Sequence, residues 1–181
     1  LGYINTSAKR LNRLIENYLL YISLENSSAS DDIRTEQMLC TEEHIRECIT
    51  NQAKKYNRVQ DLVWQTSISS GSVRVGMSES YLNKILEEIA DNSCKFSDHG
   101  TPINVNVNTE NNHLNFEFTD HGLGMTKEQI EQIGAFMQFN REVREQQGSG
   151  FGLTLTKRII EIHNSTFHIE SIAGTKTTVR F

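Results

Sequence analysis

Residues 103–120 read INVNVNTENNHLNFEFTD. Ile103, Val105 and Val107 alternate with asparagines, and Leu114, Phe116 and Phe118 alternate with Asn115, Glu117 and Thr119. Period two with one apolar side marks strands whose sheet is covered on one face. Asp120 keeps the parity of the three apolar residues before it, so its carboxylate is expected to point inward, where a buried acid needs hydrogen-bond donors. Helical patterns flank the pair. Upstream, Ser78 can cap ESYLNKILEEIADNSCKF, whose stripe is Leu82, Ile85, Leu86 and Ile89. Farther upstream, Thr41 can cap a helix to about Tyr56, and residues 61–67 and 73–76 read as strands. Downstream, a helix from about Gly150 to His163 precedes two closing strands, 166–172 and 176–181. The expected fold class is α+β: a two-layer sandwich, with helices on one face of a mixed sheet.

One helix precedes this core. Leu1, Ile4, Ala8, Leu11, Ile15, Tyr18 and Ile22 follow alternating steps of three and four, the seam of a coiled coil or bundle. Lys9, Arg10, Arg13 and Glu16 fall off that seam and are expected to be solvated. An amphipathic helix docked on its own domain is the plainer alternative, with a wider apolar face. Residues 26–32, NSSASDD, read as a linker. The expected organisation is a bundle helix at 1–27, a linker at 28–36 and a catalytic unit at 37–181.

Bulk properties exclude some classes. The 181 residues carry a net charge of −5, against the basic stripe of a duplex nucleic-acid binder. No apolar run approaches the roughly 20 residues that span a bilayer, so no membrane contact is expected here. Cys40, Cys48 and Cys94 form no C-x-x-C pair and read as buried thiols in a reducing, cytoplasmic compartment. The chain opens at Leu1, not Met, and reads as a piece of something longer.

Three stretches carry candidate chemistry. On the helix 79–96, Glu88, Asn92 and Lys95 share a face distinct from the apolar stripe. An acid, an amide oxygen and an ammonium in one line suit magnesium and phosphate, although from this helix alone a solvated polar face is the favoured reading. After Asp120, Gly122 and Gly124 allow the backbone to turn closely around a flat ring, and the adenine exocyclic amine is a suitable donor to the carboxylate. In QQGSGFGLTLTKRIIEIH, Gly148, Gly150 and Gly152 lead into a helix whose N-terminus favours phosphate. This is neither G-x-x-x-x-G-K-S/T nor a dinucleotide fingerprint.

The conjunction is specific where each part is not. An E-x-x-x-N helix, a D-x-G-x-G turn and a G-x-G-x-G-L helix start, in this order, resemble the histidine kinase branch of the superfamily shared with gyrase, Hsp90 and MutL ATPases. The resemblance implies that Asn92 binds magnesium, Lys95 contacts phosphate and Asp120, with Gly122 and Gly124, recognises adenine. It implies that Gly148, Gly150, Gly152 and Leu153 form the second glycine box and that Thr177 lies near the adenine. Phe136, Phe139 and Arg141 resemble the box in a lid at about 125–147, with Arg144, Met125 and Met137 nearby; this stretch is expected to order on nucleotide. SAKRLNRLIENYLLYISLEN is similar to the second helix of the kinase dimerisation hairpin.

The expectation is an ATP- and magnesium-dependent histidine kinase. It would pass the γ-phosphoryl group to a histidine outside this chain, then to a response-regulator receiver domain, and would form a homodimer through the first helix. None of His44, His99, His113, His121, His163 or His168 has the context of an acceptor. Glu88 stands where many such kinases carry asparagine, Asn164 and Lys176 replace glycines, and the lid box lacks its common proline. Glu88 keeps a rival open, a hydrolysing conformational switch of the Hsp90 or MutL type with Glu88 as base. A signalling module with a degenerate site is a second rival, opposed by the intact Asn92, Asp120 and glycine sets.

Overall fold

A computed structural model describes residues 2–26, 36–68, 71–111, 113–133 and 151–181. The order is α1 (Gly2–Asn26), β1 (Met38–Thr41), α2 (Glu42–Lys54), β2 (Leu62–Ser67), β3 (Ser72–Val75), α3 (Glu79–Phe96), β4 (Ile103–Glu110), β5 (His113–Asp120), α4 (Lys127–Glu131), α5 (Phe151–Ile162), β6 (His168–Ile172) and β7 (Lys176–Arg180). The main sheet has the order β2-β4-β5-β7-β6, with β2 parallel to β4 and the other pairs antiparallel. The sheet is therefore mixed, as the sequence predicts. A separate ladder pairs β1 with β3.

Local chemistry sets the ends. Thr41 accepts from the His44 amide at 3.1 Å and starts α2, and Ser78 accepts from the Tyr81 amide at 3.4 Å and starts α3. Asn164, at φ 56°, closes α5 in the left-handed region, with the Ser165 amide bonded back to the Ile160 carbonyl at 3.1 Å. The inward residues Ile103, Val105, Val107, Phe116 and Phe118 meet Ile45, Ile49, Leu82, Ile85, Leu86, Ile89, Leu155 and Ile159 in one buried core. Burying that set supplies the main driving force for the sandwich.

Helix α1 docks on this core, but not through its seam. Leu11, Ile15, Tyr18 and Ile22 are exposed, while Asn17 and Leu24 are buried and Leu20 and Tyr21 pack against the core. Tyr21 meets Phe151 edge-on at 5.5 Å, and Arg158 of α5 pairs with Glu25 at 2.7 Å. The helix therefore has two apolar faces, one used and one open.

Candidate functional site

Asp120 ends β5 opposite Thr177 of β7 and Ile103 of β4. Strand parity turns it inward, and it is 7% exposed. Burial pushes its carboxyl up to about 6; His121, Arg58 and a hydrogen bond from Ser93 pull the other way. A buried acid with Ser93 as its hydrogen-bond donor can accept from a further donor. Thr177 is half-buried beside it, and its hydroxyl lies 3.1 Å from that of Ser171.

The next residues wrap around the ends of two other elements. The Leu123 amide donates to the Phe96 carbonyl at 2.9 Å, the Gly174 amide to the Leu123 carbonyl at 2.6 Å, and the Met125 amide to the Ser171 hydroxyl at 2.7 Å. A Cβ on Gly122 would stand 2.1 Å from the Phe96 carbonyl oxygen, so no other residue fits that approach. Gly124 adopts φ 59° with the Ile172 carbonyl equally close to a Cβ. Leu123 between them is exposed, an apolar side chain presented next to the acid that sequence reasoning did not single out. Its signal was present, an apolar residue between two obligatory glycines.

On α3 the three predicted residues part company. Lys95 is exposed, with its ammonium 4.8 Å from the Phe96 ring centre. Asn92 is half-buried, and its amide is unengaged among the described residues. An amide oxygen so placed suits magnesium, which takes few protein ligands and completes its shell with phosphate and water. Glu88 differs: it is 3% exposed and both oxygens are taken. Arg13 of α1 reaches Oε2 at 2.8 Å and Oε1 at 3.3 Å, Asn17 donates to Oε1 at 3.2 Å, and Lys84 stands 2.9 Å from Oε1.

Arg13 also grips Asp91 at 2.9 Å, and the other Asp91 oxygen accepts from Gln52 at 2.7 Å and Tyr56 at 2.6 Å. Arg13 is therefore no solvated off-seam residue; it joins α1 to the acids of α3. Burial alone would raise the Glu88 carboxyl, yet Lys84 and Arg13 hold it below its ordinary value. An ionised, doubly paired carboxylate is a weak base.

Gly152 meets α3 here. A Cβ on Gly152, at the start of α5, would lie 2.3 Å from Glu88 Oε2. Leu153 is half-buried on the same turn. Gly148, Gly150, Arg141, Arg144, Phe136, Met137 and Phe139 fall outside the described residues. The structure thus brings Asp120, Gly122, Gly124 and Thr177 to one end of α3, with Asn92 and Lys95 on its last turns and Gly152 and Leu153 toward its middle. Burial pushes all three thiols up, Cys40 and Cys94 to about 11 and Cys48 to about 12. They are inert packing groups.

Comparison with known proteins agrees with this fold. The family described as histidine kinase-, DNA gyrase B- and HSP90-like ATPase matches residues 77–181. The sensor histidine kinase YvrG of Bacillus subtilis is 31% identical over 117 residues, 60% of this chain and 19% of its own length. The signal transduction histidine-protein kinase ArlS of Staphylococcus haemolyticus is 25% identical over 185 residues, 98% of this chain and 39% of its own. The chain thus spans well under half of these relatives. Among solved structures, the Acinetobacter baumannii histidine kinase AdeS superposes with a TM-score of 0.72 at 16% identity, covering 99% of this chain and 82% of that one. Full-length ShkA in complex with AMPPNP gives 0.69 at 19% identity, covering 99% and 37%.

Proposed function

Because the chain belongs to the histidine kinase-, DNA gyrase B- and HSP90-like ATPase family, we propose that it is the ATP-binding phosphotransferase unit of a two-component sensor histidine kinase. The observation that carries the nucleotide site is Asp120, a buried carboxylate with Ser93 as its hydrogen-bond donor, at the mouth of a backbone turn that only glycines can make. Asp120 accepts from the adenine amine, with Thr177 beside it. Asn92 would hold magnesium, and Lys95 would meet phosphate. The resemblance assigns Gly148, Gly150, Gly152, Leu153 and Arg141 to the triphosphate. Magnesium, when bound, would supply charge neutralisation at the phosphates, and the chain's own residues would orient the γ-phosphoryl group toward a histidine on another segment. The phosphoryl group then passes to a receiver-domain aspartate.

Two observations favour the kinase over the hydrolysing switch. Glu88 is ion-paired on both oxygens rather than poised over a water. The seam of α1 is open, which suits a bundle helix that pairs with a second copy. On this reading residues 1–27 are the second helix of the dimerisation hairpin, 28–36 the linker and 37–181 the ATP-binding unit. No helix among the described residues is long and apolar enough to cross a membrane. The site would work on the cytoplasmic side, whether or not the full protein is anchored.

The chain should bind Mg-ATP and remain unlabelled after incubation with γ-labelled ATP, whereas a chain extended upstream should gain acid-labile label. Label on this chain itself would overturn the assignment of the acceptor to another segment. Asn92→Ala should abolish label transfer in the extended chain and flatten the magnesium dependence of nucleotide affinity. A magnesium titration indistinguishable from that of the unaltered chain would reject Asn92 as ligand.

A further inference from the structure

Arg58 is fully buried, and the nucleotide reading gives it no role. It follows α2 through a left-handed residue, Asn57 at φ 53°, and its own amide bonds back to the Ala53 carbonyl at 3.0 Å. The guanidinium is saturated. Nε donates to Asp61 at 2.6 Å. Nη1 donates to the Ser97 carbonyl and hydroxyl, each at 2.7 Å, and to the Cys94 carbonyl at 3.2 Å. Nη2 donates to the Thr101 carbonyl at 2.8 Å and its hydroxyl at 3.3 Å. The Cys94 carbonyl is one of the last in α3, which has no partner within the helix, and Ser97 is the residue just beyond it. Asp61, fixed by Arg58, also accepts from the Gly100 amide at 3.0 Å.

The same helix end supports the glycine turn. Phe96 accepts from Leu123, and Ser97 bridges Gly122. The Ser97 hydroxyl donates to the Ser93 carbonyl at 2.6 Å, and Ser93 is the side chain hydrogen-bonded to Asp120. Every path from Arg58 leads to the end of α3 or to the 97–101 loop that feeds β4, whose first residue pairs with Asp120. A side chain serving the core alone would have no reason to gather one helix end and one loop on a fork of five donors.

We propose that Arg58 is a positioning residue for adenine recognition, fixing the separation between the α3 end that carries Asn92, Ser93 and Lys95 and the strand end that carries Asp120. This rests on the reading of Asp120 as the adenine acceptor. Lysine at this position keeps a charge but cannot bridge the carbonyls of Cys94, Ser97 and Thr101 from one plane. Methionine keeps the volume and loses both charge and bridge.

The test is binding of ADP and of adenosine, without magnesium, below the melting transition of each variant. Arg58→Lys should weaken both ligands by the same factor, about tenfold, because the displaced contacts are at the adenine end. Arg58→Met should weaken them further and move the affinity loss on acidification to higher pH. The groups facing Asp120 are His121, Arg58, Ser93 and Cys94 at the end of α3, and Thr177 of β7, so loss of the arginine removes a local cation that favours the carboxylate. Lower melting points with unchanged affinity and an unchanged pH midpoint would make Arg58 a fold residue only and overturn the proposal. If neither variant folds, Ser97→Ala decides: about threefold weaker ADP supports it, and unchanged ADP overturns it. Failure of the unaltered chain to bind ADP would instead sink the nucleotide reading, and this proposal with it.

Discussion

Asp120→Asn should make the ligand-free chain more stable at pH 8 while weakening its hold on ATP. The carboxyl is buried, and burial pushes it from 3.8 up to about 6. A raised folded-state value means that the native state holds the proton more tightly than the unfolded chain does. The native fold therefore loses stability as pH rises from about 4 to about 6, and the full cost of the buried charge is present above that window. A shift of this size corresponds to roughly 2–3 kcal/mol, and a neutral amide of the same shape escapes most of it. The gain should be near zero at pH 4 and about 1–2 kcal/mol at pH 8. Ligand binding moves the other way. An amide can present its N–H₂ to the adenine amine, donor against donor, and leaving that polar group unpaired costs about 1–3 kcal/mol. Denaturant melts at pH 4 and pH 8 check the first half, and competition between ATP and GTP checks the second. A variant no more stable at pH 8 than the parent would mean that Asp120 is not a stored cost. Equal losses for ATP and GTP would remove its adenine role.

That trade explains why the site's chemistry was partly legible before its structure. Alternation along 103–120 sets which side chains face the helices, and one extra residue of the same parity puts Asp120 among them. Parity is a local property, so a single strand reveals it. The caps at Thr41 and Ser78 were legible for the same reason, since a cap needs only its own next three residues. Four-residue β1 was not: its ladder partner β3 lies more than thirty positions away, and MLCT carries no alternation. Arg58 was also invisible, because an isolated arginine after a helix normally points to water. Only the convergence of the α3 end and the 97–101 loop reveals what it does. The face of α1 was half-read. Leu11, Ile15, Tyr18 and Ile22 form an exposed apolar stripe, but docking uses Arg13, Asn17, Leu20, Tyr21 and Leu24, a second series at helical spacing. Periodicity alone cannot rank two apolar faces, and it assigns a charged residue to solvent whenever the partner acids are far along the chain.

Arg13→Ala should loosen α1 from the core and lower stability by about 2–3 kcal/mol. Glu88 and Asp91 are one turn apart on α3, 3% and 7% exposed, and share this one guanidinium. Removing it leaves two buried like charges side by side, a change that typically costs about 3–5 kcal/mol when the lost partner is itself buried. Arg13 is 38% exposed, and Lys84, Asn17, Gln52 and Tyr56 remain on the acids, so the lower figure applies. The loss should fall on α1 first, because the β4–β5 ladder does not depend on the clamp. Hydrogen exchange should show α1 amides losing protection while those of β4 and β5 keep theirs. Arg13→Lys should restore part of the protection, since one ammonium can meet one acid but not fork across two. The clamp also bears on chemistry. With Arg13 gone, Glu88 keeps only Lys84 and Asn17 and its carboxyl rises toward its ordinary range. If Glu88 were a hydrolytic base restrained by the docked helix, Arg13→Ala would hydrolyse ATP and Glu88→Gln would abolish that turnover. If Glu88 is a docking acid, as its saturated oxygens and the adjoining Gly152 indicate, Arg13→Ala should bind ATP without turning it over. Measured turnover that vanishes in the double variant would reverse the choice between kinase and switch. Unchanged exchange in α1 would show that the apolar contacts of Leu20, Tyr21 and Leu24 hold the helix without the arginine.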